Sequence, residues 1–261
     1  MVQVRAIASR DNPLLVRLRK LAGDPGAYRK LGQVWIEGEH LCSAFAQRGT
    51  GAALAVVGEA AWQRPVPRAL AETAGEIVIV PEASMRGLSP LDSPPSIGFV
   101  VPAPGAAVLI PGLSSLVLDR LQDPGNVGNL LRSAAAFGFG QVLAMQQTVA
   151  LWSPKVLRAG MGAHFGLHLV EGLDPDGLAD LALPLLATSS HAQRAIDSTR
   201  LPWPCAWVLG HEGQGVSPAL GERCEAVLRI PQPGGEESLN VAAAGAICLY
   251  ESARQRLSMT K

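Results

Sequence analysis

Ser238 and Asn240 stand between a proline- and glycine-rich loop, Ile230-Pro231-Gln232-Pro233-Gly234-Gly235, and an apolar run, Ala242 to Leu249. Pro231 and Pro233 cannot donate to a strand ladder, so a strand must stop there, and Gly234 and Gly235 permit positive φ and close approach of a ligand. Ser238 or Asn240 suits the N-cap of the helix that follows. The free N–H groups of its first turn favour an anionic or carbonyl-rich partner. Such a loop presents backbone groups and two neutral polar side chains, although any single capped helix offers the same pattern. The uncharged run after it is expected to be buried.

Two more strand-to-loop junctions carry chemistry. In Val208-Leu209-Gly210-His211-Glu212-Gly213-Gln214-Gly215 an apolar strand runs into three glycines that flank one carboxylate, which fixes Glu212 at a strand end. In Leu118-Asp119-Arg120-Leu121-Gln122-Asp123-Pro124-Gly125-Asn126-Val127-Gly128 the turn signal Asp123-Pro124-Gly125 precedes Asn126, which can cap a helix. Arg132 follows a little under two helical turns later. The glycines at 125 and 128 do not make G-x-G-x-x-G, which argues against a dinucleotide-binding dehydrogenase.

The elements that must position these loops read as two domains in 261 residues. Short apolar runs at 34–37, 54–57, 77–80 and 97–101 alternate with helical stretches around 41–47 and 67–73, a small α/β domain over 1–101. Pro102-Ala103-Pro104-Gly105 opens a linker over 102–112. Over 113–261 strands (115–118, 141–145, 168–170, 185–188, 205–209, 226–230) alternate more strictly with helices (127–137, 154–160, 175–181, 218–224, 241–254). That alternation implies a mostly parallel sheet with helices on both faces, and ligand sites beyond the carboxyl ends of its strands.

Charge narrows the partners. The chain carries 22 basic and 22 acidic residues, which argues against non-specific coating of nucleic acid. Residues 1–36 nonetheless hold an excess of five positive charges, and Arg17, Arg19, Lys20 and Arg29 can meet phosphates there. Asn12 as cap, Pro13 at the first helical position, and Leu14, Leu15, Leu18 and Leu21 on one face define the helix that carries three of them. Cys42, Cys205, Cys224 and Cys248 form no C-x-x-C pair and have no histidine at ligand spacing, so no zinc site or disulfide framework is indicated. Neither a membrane span nor a signal peptide is read, and a cytoplasmic protein is expected.

Asn126-x-Gly128-x-x-x-Arg132, Leu209-Gly210-x-Glu212-Gly213-x-Gly215 and Ile230-Pro231-x-x-Gly234-x-x-x-Ser238-Leu239-Asn240-Val241 occur in that order. Together they resemble the three motifs of the SpoU/TrmH family of RNA ribose 2′-O-methyltransferases. Ser9-x-x-Asn12-Pro13 and Trp35-Ile36-Glu37-Gly38-x-x-Leu41 resemble that family's RNA substrate-binding domain. The resemblance implies a SPOUT domain with a C-terminal trefoil knot, S-adenosylmethionine as cofactor, no metal, and a homodimer packed through the knots. It implies that backbone groups around Leu209, Gly210, Gly215, Ile230, Pro231 and Leu239, with Thr188, Ser189, Glu212 and Ser238, hold the cofactor. Arg132 would then assist the ribose hydroxyl, Asn126 would position it, and Glu212, Ser238 and Asn240 would orient the nucleophile. Lys155 and Arg158 match a basic helix that touches RNA. The two-domain layout resembles enzymes of ribosomal RNA (23S) more than those of transfer RNA, and a knotted RNA-binding protein without activity is the remaining alternative. His211, Gln232, Ala242 and Ala243 depart from the family's usual residues.

Overall fold

Gln3–Ala6 (β1) forms the exposed edge of a five-stranded sheet, and that sheet organises the first of two compact units. The structure is a computed structural model that describes residues 2–49, 51–235 and 238–259, so Glu236 and Glu237 of the third motif lie outside the described residues. The first unit comprises the chain up to Gly105 together with Trp152–Phe165, and the second comprises Ala106–Leu151 together with the chain from Gly166 onward.

In the first unit, helices Pro13–Gly23 (α1) and Ala27–Leu31 (α2) precede strand Gln33–Glu37 (β2) and helix Glu39–Ala46 (α3). Strand Leu54–Gly58 (β3), helices Glu59–Trp62 (α4) and Pro65–Ala71 (α5), strand Glu76–Val80 (β4), helix Glu82–Arg86 (α6) and strand Ile97–Pro102 (β5) complete it. The sheet order is β1-β4-β3-β5-β2, with β5 antiparallel to both neighbours. Asn12 caps α1 by accepting from the Leu14 N–H at 2.9 Å, and Leu14, Leu15, Leu18 and Leu21 face inward. The core is closed by Ile36, Val56, Ile77 and Phe99, all fully buried.

The second unit holds strand Ser115–Leu118 (β6), helix Pro124–Phe137 (α7) and strand Gln141–Met145 (β7). The chain then contributes helix Pro154–Gly160 (α8) to the first unit before returning as strand His168–Leu173 (β8). Strands Leu185–Thr188 (β9) and Ala206–Leu209 (β10), helix Pro218–Gly221 (α9), strand Ala226–Leu228 (β11) and helix Val241–Met259 (α10) follow. The six strands are all parallel, in the order β11-β9-β10-β6-β7-β8. Strands β6, β7 and β10 are buried at every residue, as continuous apolar runs in a parallel sheet should be. Parallel pairing brings the carboxyl ends of β6, β9, β10 and β11 to one edge, so all the motif loops emerge there.

The structure corrects several expectations. The stretch at 175–181 is 3-10 rather than α-helical, and β11 ends at Leu228, which leaves Ile230 in the loop. Segment 152–165, expected within the second domain, packs with the first. There Arg158 donates to Glu37 at 2.8 Å, the His40 ring meets the Met161 carbonyl at 3.3 Å, and Phe45 and Phe165 meet edge to face. Helix α10 is not buried all round: Ala242, Cys248 and Leu249 point inward while Ile247 and Tyr250 are exposed. Its small residues let it approach α7 and β10, because a Cβ on Gly245 would strike Leu130 and Leu209.

Cys42, Cys205 and Cys248 are buried and Cys224 is half-buried. Burial pushes the Cys224 thiol up to about 11 and the Cys205 thiol to about 12, and raises Cys42 and Cys248 as well. Burial thus disfavours the thiolate, the reactive form of the side chain. Among the described residues no helix is long and apolar enough to cross a membrane, and no group of three or more His, Cys, Asp or Glu side chains could hold a metal.

Candidate functional site

A cleft of about 370 Å³ opens at the carboxyl edge of the parallel sheet. Its walls come from three strand ends and the segment that enters α10. Thr188, Ser189 and Ser190 follow β9; Leu209, Gly210, His211, Glu212, Gly215 and Val216 follow β10; Ile230 and Gln232 follow β11; Ser238, Leu239 and Asn240 lead into α10. The size suits a drug-sized ligand, and the lining mixes apolar surface with backbone groups and neutral hydroxyl and amide side chains.

The loop after β10 has its shape because of two glycines. A Cβ on Gly210 would fall on the backbone of Gly215 and Val216, so only glycine lets the loop fold back on its own strand. Gly215 itself has φ +68 and donates to the His211 carbonyl at 2.8 Å, closing the turn. His211 Nδ1 accepts from the Gly213 N–H at 3.0 Å, which leaves Nε2 to carry the ring proton in the neutral side chain.

At the rim of the cleft three side chains from three motifs form one relay. Asn126 Nδ2 donates to Glu212 Oε1 at 3.2 Å, Asn240 Nδ2 donates to Asn126 Oδ1 at 3.0 Å, and Asn240 Oδ1 accepts from the N–H groups of Ala242 and Ala243 at 2.9 and 3.2 Å. The polarity is dictated from both ends. A carboxylate can only accept, so Asn126 must turn its amide nitrogen to Glu212; the helix N-terminus can only donate, so Asn240 must give it the oxygen. Glu212 also accepts from the N–H groups of Gln122 and Asp123 at 3.4 and 3.3 Å. Burial works against the charged form of Glu212. Donation from its own N–H, Asn126, Asp123 and Gln122 outweighs that and holds the carboxyl below its ordinary value.

Asn240 is therefore the cap of α10. Asn126 is not the cap of α7: Asp123 is, accepting from the Asn126 N–H at 2.7 Å, with Pro124 next. A cap must precede the helix, and Asn126 already lies in the first turn, where its side chain is free to reach Glu212.

Of the residues expected to contact a cofactor, Thr188, Ser189, Leu209, Gly210, Glu212, Gly215, Ile230, Ser238 and Leu239 line the cleft, and Pro231 does not. Arg132 is exposed on α7 and has no hydrogen-bond or ion-pair partner among the described residues. Six residues on from Asn126, it projects from a different side of the helix. Arg17, Lys20, Arg29 and Lys155 are exposed, with Arg29 lying over the Tyr28 ring at 5.0 Å, whereas Arg19 is half-buried and donates to the Arg10 carbonyl at 2.8 Å. Arg158 is half-buried. Its guanidinium pairs with Glu37, whose side chain is 5% exposed, and its own side chain is 25% exposed.

Sequence reading missed Ser190, Gln232 and Val216 in the cleft, and missed Asp119 and Arg120 behind it. Asp119, 2% exposed, accepts from the Ser217 N–H at 2.6 Å and pairs with Arg120 at 3.2 Å. Their position directly after β6, on the edge where the other loops emerge, was the available signal.

Residues 114–250 match the sequence model of the SpoU rRNA Methylase family. An uncharacterized tRNA/rRNA methyltransferase of Synechocystis is 31% identical over 97% of this chain and 95% of its own length. The 23S rRNA (guanosine-2′-O-)-methyltransferase RlmB of Nitrosomonas europaea is 36% identical over 56% of this chain and 57% of its own, so that alignment spans little more than half of either protein. A crystal structure of an RNA 2′-O ribose methyltransferase superposes with TM-score 0.81 at 31% identity, over 97% of this chain and 100% of the other. The SpoU methyltransferase AviRb of Streptomyces viridochromogenes, solved with AdoMet, shares the fold at TM-score 0.87 and 24% identity, over 95% of this chain and 99% of its own.

Proposed function

Because the chain belongs to the SpoU rRNA Methylase family, we propose that its cleft holds S-adenosylmethionine and that it methylates a ribose 2′-hydroxyl of ribosomal RNA. The observation that carries this reading is the relay Glu212–Asn126–Asn240, which ties the three motif loops together at the rim of one cleft. The cleft fits the cofactor. Glycine backbone and the hydroxyls of Thr188, Ser189 and Ser190 suit an adenosine, and Ile230 and Leu239 supply apolar walls.

When bound, the cofactor would supply an electrophilic methyl on a sulfonium, which the ribose oxygen would accept as the carbon–sulfur bond breaks to a neutral thioether and the hydroxyl proton goes to water. The protein's share is orientation and charge. A ribose hydroxyl is a poor nucleophile, and holding it in line with the methyl supplies several kcal/mol of the barrier. Ser238 and Asn240, exposed at the rim, are placed to hydrogen-bond that hydroxyl, with Asn240 held by its cap and by Asn126. Arg132 is permanently cationic and unsuited to act as a base. Exposed and unpartnered among the described residues, it is free to hold an RNA phosphate. Arg132→Ala should therefore lower turnover on saturating RNA.

The exposed apolar residues Ile247, Tyr250 and Leu257 recur on α10 at spacings of three and seven. They support a homodimer through this helix, and a trefoil knot formed by the chain on its way to α10 belongs to the same reading. A ribosomal RNA substrate supports a cytoplasmic location. Light scattering should give a dimer that Tyr250→Arg dissociates. Calorimetry should show S-adenosylmethionine binding; binding of NAD and not of S-adenosylmethionine would overturn the reading.

A further inference from the structure

Arg120 has φ +60, a left-handed conformation that side-chain-bearing residues adopt at a cost, and it stands at the carboxyl end of β6 directly behind the cleft. Its backbone is held there: the Arg120 N–H donates to Thr148 Oγ1 at 3.0 Å, and that hydroxyl donates to the Leu118 carbonyl at 2.9 Å. This conformation sends the guanidinium to the loop after β10. Nε donates to Asp119 Oδ1 at 3.2 Å, one Nη to Gln214 Oε1 at 3.0 Å, and the other to the Gly215 carbonyl at 3.4 Å. The partner carboxylate, Asp119, also accepts from the Ser217 N–H.

The loop is thus gripped at two places by the segment after β6. Glu212 is held by Gln122, Asp123 and Asn126, on the side of the relay. Gln214, Gly215 and Ser217 are held by Arg120 and Asp119, on the side where Gly215 and Val216 form a wall of the cleft. Within the loop the N–H groups of Gln214 and Gly215 close a turn on the His211 carbonyl, and the anchors from the segment after β6 tie that turn to the rest of the sheet edge.

We infer that Arg120 is a positioning residue for the cofactor: by clamping Gln214 and Gly215 it holds the cleft wall in its binding-competent form, and it takes no part in orienting the RNA. The inference rests on the proposed cofactor reading. A loop that visits the competent form only part of the time weakens apparent affinity in proportion.

Arg120→Gly separates this role from a structural one, because glycine accepts φ +60 without cost while removing every guanidinium contact. The expected result is S-adenosylmethionine binding weakened about tenfold, as a loop competent about a tenth of the time would give. KM for S-adenosylmethionine should rise in parallel, with kcat at saturating cofactor and KM for RNA unchanged, while the melting temperature should fall because Asp119, whose side chain is 3% exposed, loses its ion-pair partner. Arg120→Lys should resemble Arg120→Gly, since one ammonium cannot span the three acceptors. Unaltered cofactor affinity in Arg120→Gly, or a fall in kcat with no change in KM for the cofactor, would overturn the inference. If the unmodified protein binds no S-adenosylmethionine, the cofactor reading fails instead. Hydrogen exchange without ligand then decides: faster exchange confined to the amides of Gln214, Gly215 and Ser217 in Arg120→Gly upholds the clamp, and unchanged exchange refutes it.

Discussion

Asn240→Asp isolates the relay from the helix cap it is built on. Aspartate caps a helix as well as asparagine, so the bonds from Ala242 and Ala243 survive and α10 should lose nothing. The carboxylate cannot donate, however, so the 3.0 Å bond to Asn126 becomes a contact between two acceptors. Asn126 can relieve it only by turning its amide, which withdraws the Nδ2 donor from Glu212 at 3.2 Å. One neutral hydrogen bond, about 1 kcal/mol net, and one to a charged group, about 1.5–3 kcal/mol, are therefore at stake. Glu212 is solvent-exposed, so screening brings the total towards about 1–2 kcal/mol. If the relay acts on the reacting ribose, kcat/KM should fall about 5- to 30-fold. Initial rates of tritium transfer from labelled S-adenosylmethionine to RNA, with thermal denaturation of the same preparations, measure both halves. Undiminished kcat/KM in Asn240→Asp, or a loss of stability as large as that of Asn240→Ala, would refute the reasoning.

Three further outcomes are expected. Gly210→Ala forces a methyl into the backbone of Gly215 and Val216, so calorimetry should find cofactor binding weakened beyond about tenfold, as expected when the competent loop becomes a rare conformer. The Glu212 carboxyl is held below its ordinary value; its contribution to stability is present above the unfolded value of about 4.3 and disappears as pH falls through the lower folded value. The melting-temperature gap between the unmodified protein and Glu212→Gln should accordingly be constant near neutrality and close in strong acid; a gap that widens in acid contradicts the bonding described. Arg158→Ala strands Glu37, whose side chain is 5% exposed, and should cost about 3 kcal/mol in urea denaturation, with Glu37→Gln in the same chain recovering part of it.

The elements legible in the sequence were those whose neighbours along the chain determine them. The apolar runs of β6, β7, β9 and β10 and the leucine face of α1 needed no distant information. The three motif loops were legible as loops, because prolines and glycines end strands wherever they occur. What was not legible depends on partners far along the chain. Asp123 and Asn126 are equally good caps by type, and it is Glu212, 86 residues away, that claims the Asn126 side chain. Arg158 looked like a solvent-facing cation because Glu37 lies 121 residues earlier. The run of alanine, glycine and cysteine in α10 has no strong polar face to mark its outer side, so its exposed stripe was invisible. Strand β1 is only four residues long and exposed at every one, so no buried apolar run marks it.

The central claim is tested most directly by incubating the purified protein with S-adenosylmethionine and unmodified ribosomal RNA, then digesting the RNA to nucleosides for mass spectrometry. The account predicts one new 2′-O-methylated nucleoside, absent when Asn240→Asp and Arg132→Ala are combined. A methyl group on a base, transfer only to transfer RNA, or no transfer by a protein that binds the cofactor would contradict it.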